Sequence, residues 1–148
     1  MPPSPESPVE QAERLGRRRA RMLPILALFF VTQQAAFFSQ PPAERAVDHV
    51  RIGAWVVLSA VILVALNSKG FWFRPKAVRD LVDDEVTRAN RGTAMHWGFL
   101  AAMIAGIAIY IVQGATQFTT REAIHLIVSA GIVVALARFG VLERRAHA

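Results

Sequence analysis

Residues 95–112 read MHWGFLAAMIAGIAIYIV. This stretch of 18 residues contains no Asp, Glu, Lys or Arg. It is long enough to cross the roughly 30 Å hydrocarbon core of a bilayer as a helix. Three other apolar runs lie at 22–38, 50–68 and 123–142. Their central stretches are apolar all round rather than along one face, which predicts transmembrane helices and not the helices of a soluble bundle.

The composition agrees with a small membrane protein. Of the 148 residues, 53% are hydrophobic and the mean hydropathy is +0.34. The chain has no cysteine, which excludes disulfides and thiolate metal sites. A net charge of +6 in a soluble protein would suggest a nucleic-acid partner. Here the basic residues flank apolar runs, so membrane topology explains them better and no nucleic-acid partner is predicted.

The four runs define the predicted organisation of the chain. We expect a disordered basic N-terminal tail at 1–21, a four-helix transmembrane domain at 22–142 and a C-terminal tail at 143–148. The first span has 17 residues, which is the short limit for crossing a bilayer. A basic segment before an apolar run also resembles a signal peptide, but no A-x-A cleavage pattern follows, so we expect the span to be retained.

The distribution of Lys and Arg predicts the orientation. With four spans, fourteen of the 17 basic residues fall on one side of the membrane and three on the other. Basic residues in short loops favour the cytoplasmic side. We therefore predict a multi-pass protein of the inner (plasma) membrane with both termini in the cytoplasm.

The central polar stretch, 71–94, reads FWFRPKAVRDLVDDEVTRANRGTA. Its apolar residues recur every three or four positions, which predicts an amphipathic cytoplasmic helix over about 75–91, between transmembrane helices 2 and 3. This helix either continues into the third span or bends at Gly92. Its first half is expected near the membrane, and its acidic face is expected to turn toward water, where a basic partner would bind. The candidate partner-binding residues are Val78, Leu81, Val82, Asp83, Asp84, Glu85 and Val86.

Two histidines are the candidate cofactor ligands. His49 precedes the second span and His125 begins the fourth, so both fall at the outer membrane edge. Two histidines at similar depth on different helices can ligate a haem axially. The alternative interpretation, two unpaired interfacial histidines, is favoured, and no cofactor or metal is predicted.

Other residues within the spans indicate helix packing. Gln33 and Gln34 form the most polar patch in any span, where they either hydrogen-bond across helices or line a small-molecule or ion path. Small residues at four-residue spacing allow close helix crossings. These helix-packing candidates are Gly98, Ala102 and Gly106 on the third span, and Gly131 and Ala135 on the fourth.

No sequence motif indicates catalysis, so the protein is not predicted to be an enzyme. We expect a regulatory or scaffolding subunit that contacts the lipid bilayer and a cytoplasmic or membrane partner, with a homo-oligomer left open. The alternatives are a small transporter or channel subunit, or a haem-b-binding electron carrier.

Overall fold

The structure, a computed structural model, describes residues 7–39, 45–67, 83–116 and 119–146. All regular structure in these residues is α-helical. The four helices are α1 (Pro8–Ser39), α2 (Arg45–Asn67), α3 (Glu85–Val112) and α4 (Thr120–Ala146).

The prediction of four membrane-spanning helices is confirmed at the level of length and composition. Each of the four helices is long and apolar enough to cross a bilayer. Large apolar side chains such as Leu28, Val57 and Ile104 lie exposed on the outside of the bundle. A soluble monomer rarely exposes so much contiguous apolar surface, whereas lipid tails cover it without cost. Four candidate membrane-spanning helices with this exposed apolar surface indicate a multi-pass membrane protein.

Helix α4 is the centre of the bundle. It packs extensively against α3 and α1, and it contacts α2 at a few positions. The start of α1 meets the end of α4, and the end of α1 meets the start of α4, so these two helices are antiparallel. We call the end that contains the start of α1 and the end of α4 the basic end, and the opposite end the aromatic end.

The apolar core follows one face of α4. Ile132, Leu136 and Phe139 are buried there at spacings of four and three residues. All four helices contribute to this cluster, and the other buried members are Ala27, Phe30, Ile62, Leu66, Ala94 and Ala135. This periodicity matches one face of a helix, which is why α4 can contact three neighbours at once.

Small residues bring α3 and α4 close together. A Cβ added at Gly98 would lie 2.7 Å from the carbonyl oxygen of Gly131 and 2.8 Å from Cβ of Ala135. Only hydrogen fits at Gly98, so these backbones touch directly, as is common between membrane helices. Gly140 allows a second close approach, since a Cβ there would lie 2.9 Å from Cδ of Pro24 on α1.

The predicted disordered tail over 1–21 is wrong from residue 8 onward, because α1 begins at Pro8. Ser7 and Glu10 form a capping box, in which the Ser7 backbone N–H donates to Glu10 Oε2 at 2.9 Å and the Glu10 N–H donates to Ser7 Oγ at 3.3 Å. Proline is favoured at the first helical position that follows such a cap. The arginine-rich segment is therefore the first part of a 32-residue helix.

The predicted separate amphipathic helix over 75–91 is not supported. Asp84 has an extended backbone (φ −66°, ψ 175°), and its carboxylate accepts a hydrogen bond from the Thr87 N–H at 2.7 Å. A helix cannot continue through an N-cap residue in that conformation. Residues 85–91 instead form the start of α3, which runs through Gly92, and residues 75–82 lie outside the described residues.

The C-terminal tail also differs from its prediction. Helix α4 continues past 142 to Ala146, and Glu143 is fully buried. The start of α4 carries a second capping box, in which the Thr119 N–H donates to Glu122 Oε2 at 2.8 Å.

Candidate functional site

A set of charged and polar side chains is buried at the basic end, and we call it the charged cluster. Its members are Arg19 on α1, Asp83, Thr87, Asn90 and Arg91 at the start of α3, and Glu143 on α4.

The ion pair between Arg19 and Glu143 is the centre of the charged cluster. The Glu143 side chain is 0% exposed and the Arg19 side chain is 13% exposed. The guanidinium of Arg19 also lies over the ring of Phe139, 5.5 Å from its centroid. A buried carboxylate without a counter-charge would be very costly. Residue 19 is therefore held against residue 143, which joins the first and last helices.

Helix α3 joins this pair through two neutral side chains, Asn90 and Thr87. The Asn90 side-chain amide donates to Glu143 Oε1 at 3.1 Å, so both carboxylate oxygens are used. Arg19 Nη2 donates to Thr87 Oγ1 at 3.0 Å. A second buried pair joins Arg91 to Asp83 at 2.5 Å, just before α3 begins. The charged cluster thus fastens α1, α3 and α4 together at one end.

Aromatic side chains meet around His125 at the opposite end. The imidazole lies between the rings of Phe37 and Trp55, with both pairs of centroids 4.2 Å apart and the planes inclined by 12° and 23°. Phe38 approaches the same imidazole edge-on at 6.0 Å. This stack brings α1, α2 and α4 together.

A cavity of about 240 Å³ adjoins the stack, and we call it the aromatic pocket. Its described lining contains one formally charged side chain, Arg51 of α2. The other lining residues are Gln33, Ala36 and Phe37 of α1, Val50, Ala54 and Trp55 of α2, and His125 of α4.

Several polar atoms around the aromatic pocket have no hydrogen-bond partner among the described residues. They include His125 Nε2, Trp55 Nε1 and Gln33 Oε1, which belong to the pocket lining. Ser59 Oγ and Ser129 Oγ, one helical turn further from the aromatic end, are also buried and unpartnered. Buried polar groups in folded proteins nearly always have a partner, so these atoms need an explanation. Three atoms of the charged cluster, Arg19 Nε, Asp83 Oδ2 and Arg91 Nε, are also buried without a partner among the described residues.

The predicted acidic face does not form one exposed surface. Asp83 is buried and paired with Arg91, Asp84 caps α3, and Glu85 and Val86 lie exposed in its first turn. The remaining partner-binding candidates, Val78, Leu81 and Val82, lie outside the described residues.

The two haem candidates are placed differently. His125 is stacked on both faces, whereas His49 is exposed and does not line the aromatic pocket. Gln33 lines the pocket, and Gln34 is half-buried, with no partner for either amide atom among the described residues. Within the described ranges, no group of three or more His, Asp or Glu side chains is placed to hold a metal ion.

The structure places the five helix-packing candidates along the contact between α3 and α4. Gly98 faces Gly131 and Ala135, and an added Cβ at Gly131 would lie 3.2 Å from Cβ of Ala102. The contact is looser at Gly106, where an added Cβ would lie 3.6 Å from Ile127.

Sequence reasoning missed Glu143 and Arg19. Glu143 stands in the run ERRAHA, which reads as a solvated tail, and its partner lies 124 positions away. The signal that was available is the length of α4: if the helix continues to Ala146, Glu143 follows Leu136 and Phe139 on the buried face.

Comparison of the chain with protein-family models, with curated proteins and with solved structures found no match.

Proposed function

We propose that this protein is a non-enzymatic regulatory or scaffolding subunit that binds another membrane protein within the bilayer, with α2 as the principal contact. The proposal places it in the inner membrane with the basic end in the cytoplasm, where most of its Lys and Arg residues lie.

The observation that carries the proposal is that α2, unlike α1, α3 and α4, contacts the other described helices at only a few positions. This helix is buried along a narrow stripe at Ser59, Ile62 and Leu66. The opposite side is exposed, and we call it the α2 face; it consists of Gly53, Val57, Ala60 and Val64. These residues recur at spacings of four, three and four, so they form one smooth surface with small residues on it. Membrane helices associate through surfaces of this kind, because small residues let two backbones approach closely.

The charged cluster supports a structural role for the buried charges. Both of its acidic side chains, Glu143 and Asp83, are engaged with arginines of the same chain.

Substitution of Gly53 tests the proposal. A Cβ added at Gly53 meets no atom within 4 Å, so Gly53→Leu is compatible with the fold of the chain itself. We expect Gly53→Leu to reduce recovery of copurifying membrane protein at least tenfold in mild detergent, since a bulky side chain would separate the two helices. Ala108→Leu is the matched control, because Ala108 is exposed on α3. Equal recovery for both variants and the unmodified protein would contradict a contact through α2.

The orientation has a separate test. A reporter active only outside the cytoplasm should function when inserted at Gln117, between α3 and α4, and should fail when fused after Ala148. The reverse result would invert the proposed topology.

Each alternative makes its own measurable prediction. A transporter or channel subunit would give solute flux in proteoliposomes that depends on Gln33 or Gln34. A haem carrier would purify with a Soret band that is lost when His49 or His125 is replaced.

A further inference from the structure

The lining of the aromatic pocket contains polar atoms that the fold leaves without partners. His125 is only 5% exposed, and its Nε2 has no hydrogen-bond partner among the described residues. Trp55 Nε1 and Gln33 Oε1 are also buried without a hydrogen-bond partner among the described residues. Each buried polar atom that lacks a partner is costly to the folded state. A bound molecule that carries hydrogen-bond acceptors would remove this cost at Trp55 Nε1 and at His125 Nε2.

The charge of the lining indicates what kind of molecule fits. Arg51 lies six residues after the first residue of α2, within the segment that enters the membrane. An arginine in a membrane span is costly unless it is paired or reaches the headgroups. Its planar guanidinium matches carboxylate and phosphate groups, which it binds through paired N–H donors. The indole N–H of Trp55 can only donate, which also favours a ligand rich in acceptors.

The shape of the site excludes a ligand that intercalates as a flat ring. Phe37 and Trp55 already cover the two faces of the His125 imidazole. What remains for a ligand is the cavity beside the stack, where Ala36, Val50 and Ala54 supply apolar walls. A volume of about 240 Å³ accommodates a small headgroup with the first part of an alkyl chain. The exposed apolar residues of α2, including Val50, continue this surface toward lipid.

We propose that the aromatic pocket binds the oxyanion headgroup of an amphiphile. Arg51 supplies the opposite charge, Trp55 Nε1 and His125 Nε2 donate hydrogen bonds, and the alkyl chain extends into the surrounding lipid. Amphiphilic carboxylates and phosphates share this chemistry. This proposal does not depend on a protein partner at the α2 face, so the two are tested independently.

Thermal unfolding of the purified full-length protein in a neutral detergent tests the proposal. A ligand that binds only the folded state raises Tm as its concentration rises above Kd. We expect dodecanoate or dodecyl phosphate to raise Tm in a saturable way, and the stronger of the two identifies the headgroup as carboxylate or phosphate. Dodecanol has the same chain without the charge, and it should leave Tm unchanged. An equal response to dodecanol, or no response to either anion, would overturn the proposal.

Two variants locate the binding site. Arg51→Gln should raise at least tenfold the concentration of dodecanoate or dodecyl phosphate that is needed for a given rise in Tm. Arg121→Gln removes an exposed basic residue near the same end that does not line the pocket, and it should keep the response. His125→Phe preserves a stacked ring but removes Nε2, so it should weaken the response several-fold. If His125→Phe does not fold, the two arginine variants decide the outcome alone. Equal losses for Arg51→Gln and Arg121→Gln would show that the anions bind only by general attraction to the basic surface.

Discussion

At the basic end of the bundle, Glu143 is fully buried and both of its carboxylate oxygens accept hydrogen bonds from other helices. At the aromatic end, His125 is almost as deeply buried, yet its Nε2 has no partner among the described residues. The first group is held by the fold. The second lies between two stacked aromatic rings.

This difference shows how the same helices can serve two purposes. Opposite charges that are paired across two helices, such as Arg19 and Glu143, fix the relative positions of those helices, because moving either helix would leave a buried charge uncompensated. Polar groups without partners do not fix the relative positions of helices. They raise the free energy of the folded state unless a ligand binds to them. We therefore expect substitutions at the basic end to change the stability of the bundle, and substitutions at the aromatic end to change the binding of the amphiphile.

The largest expected effect is at the basic end. Glu143→Ala leaves Arg19 buried without a counter-charge, and we expect a loss of about 3–5 kcal/mol in the free energy of unfolding. The measurement is unfolding in mixed detergent micelles. Glu13→Ala is the control, since the exposed pair of Glu13 with Arg17 at 3.5 Å should contribute no more than about 1 kcal/mol.

A double substitution sharpens this first test. Arg19→Met combined with Glu143→Leu replaces the charged pair with apolar side chains, and it should recover most of the stability lost in Glu143→Ala. If Glu143→Ala is no more harmful than Glu13→Ala, the cluster is hydrated and does not fasten the helices.

The second effect concerns the helix crossing between the two ends. Gly98→Ala places a methyl group 2.7 Å from the Gly131 carbonyl oxygen, so the helices must separate. We expect a loss of about 1–3 kcal/mol in the same assay, as for other overpacked sites. Gly106→Ala is the matched control, because its Cβ meets Ile127 at an ordinary 3.6 Å. It should be neutral or gain up to about 1 kcal/mol from helix propensity. Similar losses for the two variants would mean that the crossing is looser than the structure shows.

The sequence predicts the spans well because the bilayer imposes a simple condition on them. A long run without charges, such as 95–112, has few stable alternatives to a transmembrane helix, and the end of that run at Val112 is also the end of α3. The small residues near Gly98 were recognised for a similar reason, since their four-residue spacing has a direct geometric meaning.

The boundaries outside the membrane were predicted less well, although signals for them were present. Ser7 and Glu10, and Thr119 and Glu122, show the S/T-x-x-E pattern of a capping box. The prediction gave more weight to the apolar periodicity over 75–91 than to the capping preference of Asp84, so the predicted helix ran through the position at which α3 begins.

The two polar sites were beyond sequence reasoning of this kind. The pairing of Arg19 with Glu143 joins residues 124 positions apart, and the aromatic pocket uses residues of three helices. Neither has a local pattern. His125 was recognised as a candidate, but its neighbours Phe37 and Trp55 become visible only once α1, α2 and α4 are packed together.

The smallest expected effect is at the aromatic end, and its sign separates the two ends most clearly. Ser129→Ala removes a buried hydroxyl that has no hydrogen-bond partner among the described residues. Removing an unsatisfied polar group costs nothing and can relieve its desolvation penalty, so we expect the free energy of unfolding to stay unchanged or rise by up to about 1 kcal/mol. Ser59→Ala tests the same expectation on α2, where the hydroxyl is also buried and has no partner among the described residues.

The measurement is again unfolding in mixed micelles, with Thr87→Ala as the matched control. Thr87 Oγ1 accepts a hydrogen bond from Arg19 in the charged cluster, so its removal should cost about 1–3 kcal/mol. If Ser129→Ala destabilises the protein as much as Thr87→Ala does, the hydroxyl at the aromatic end already has a partner in the folded protein, and the contrast between the two ends fails.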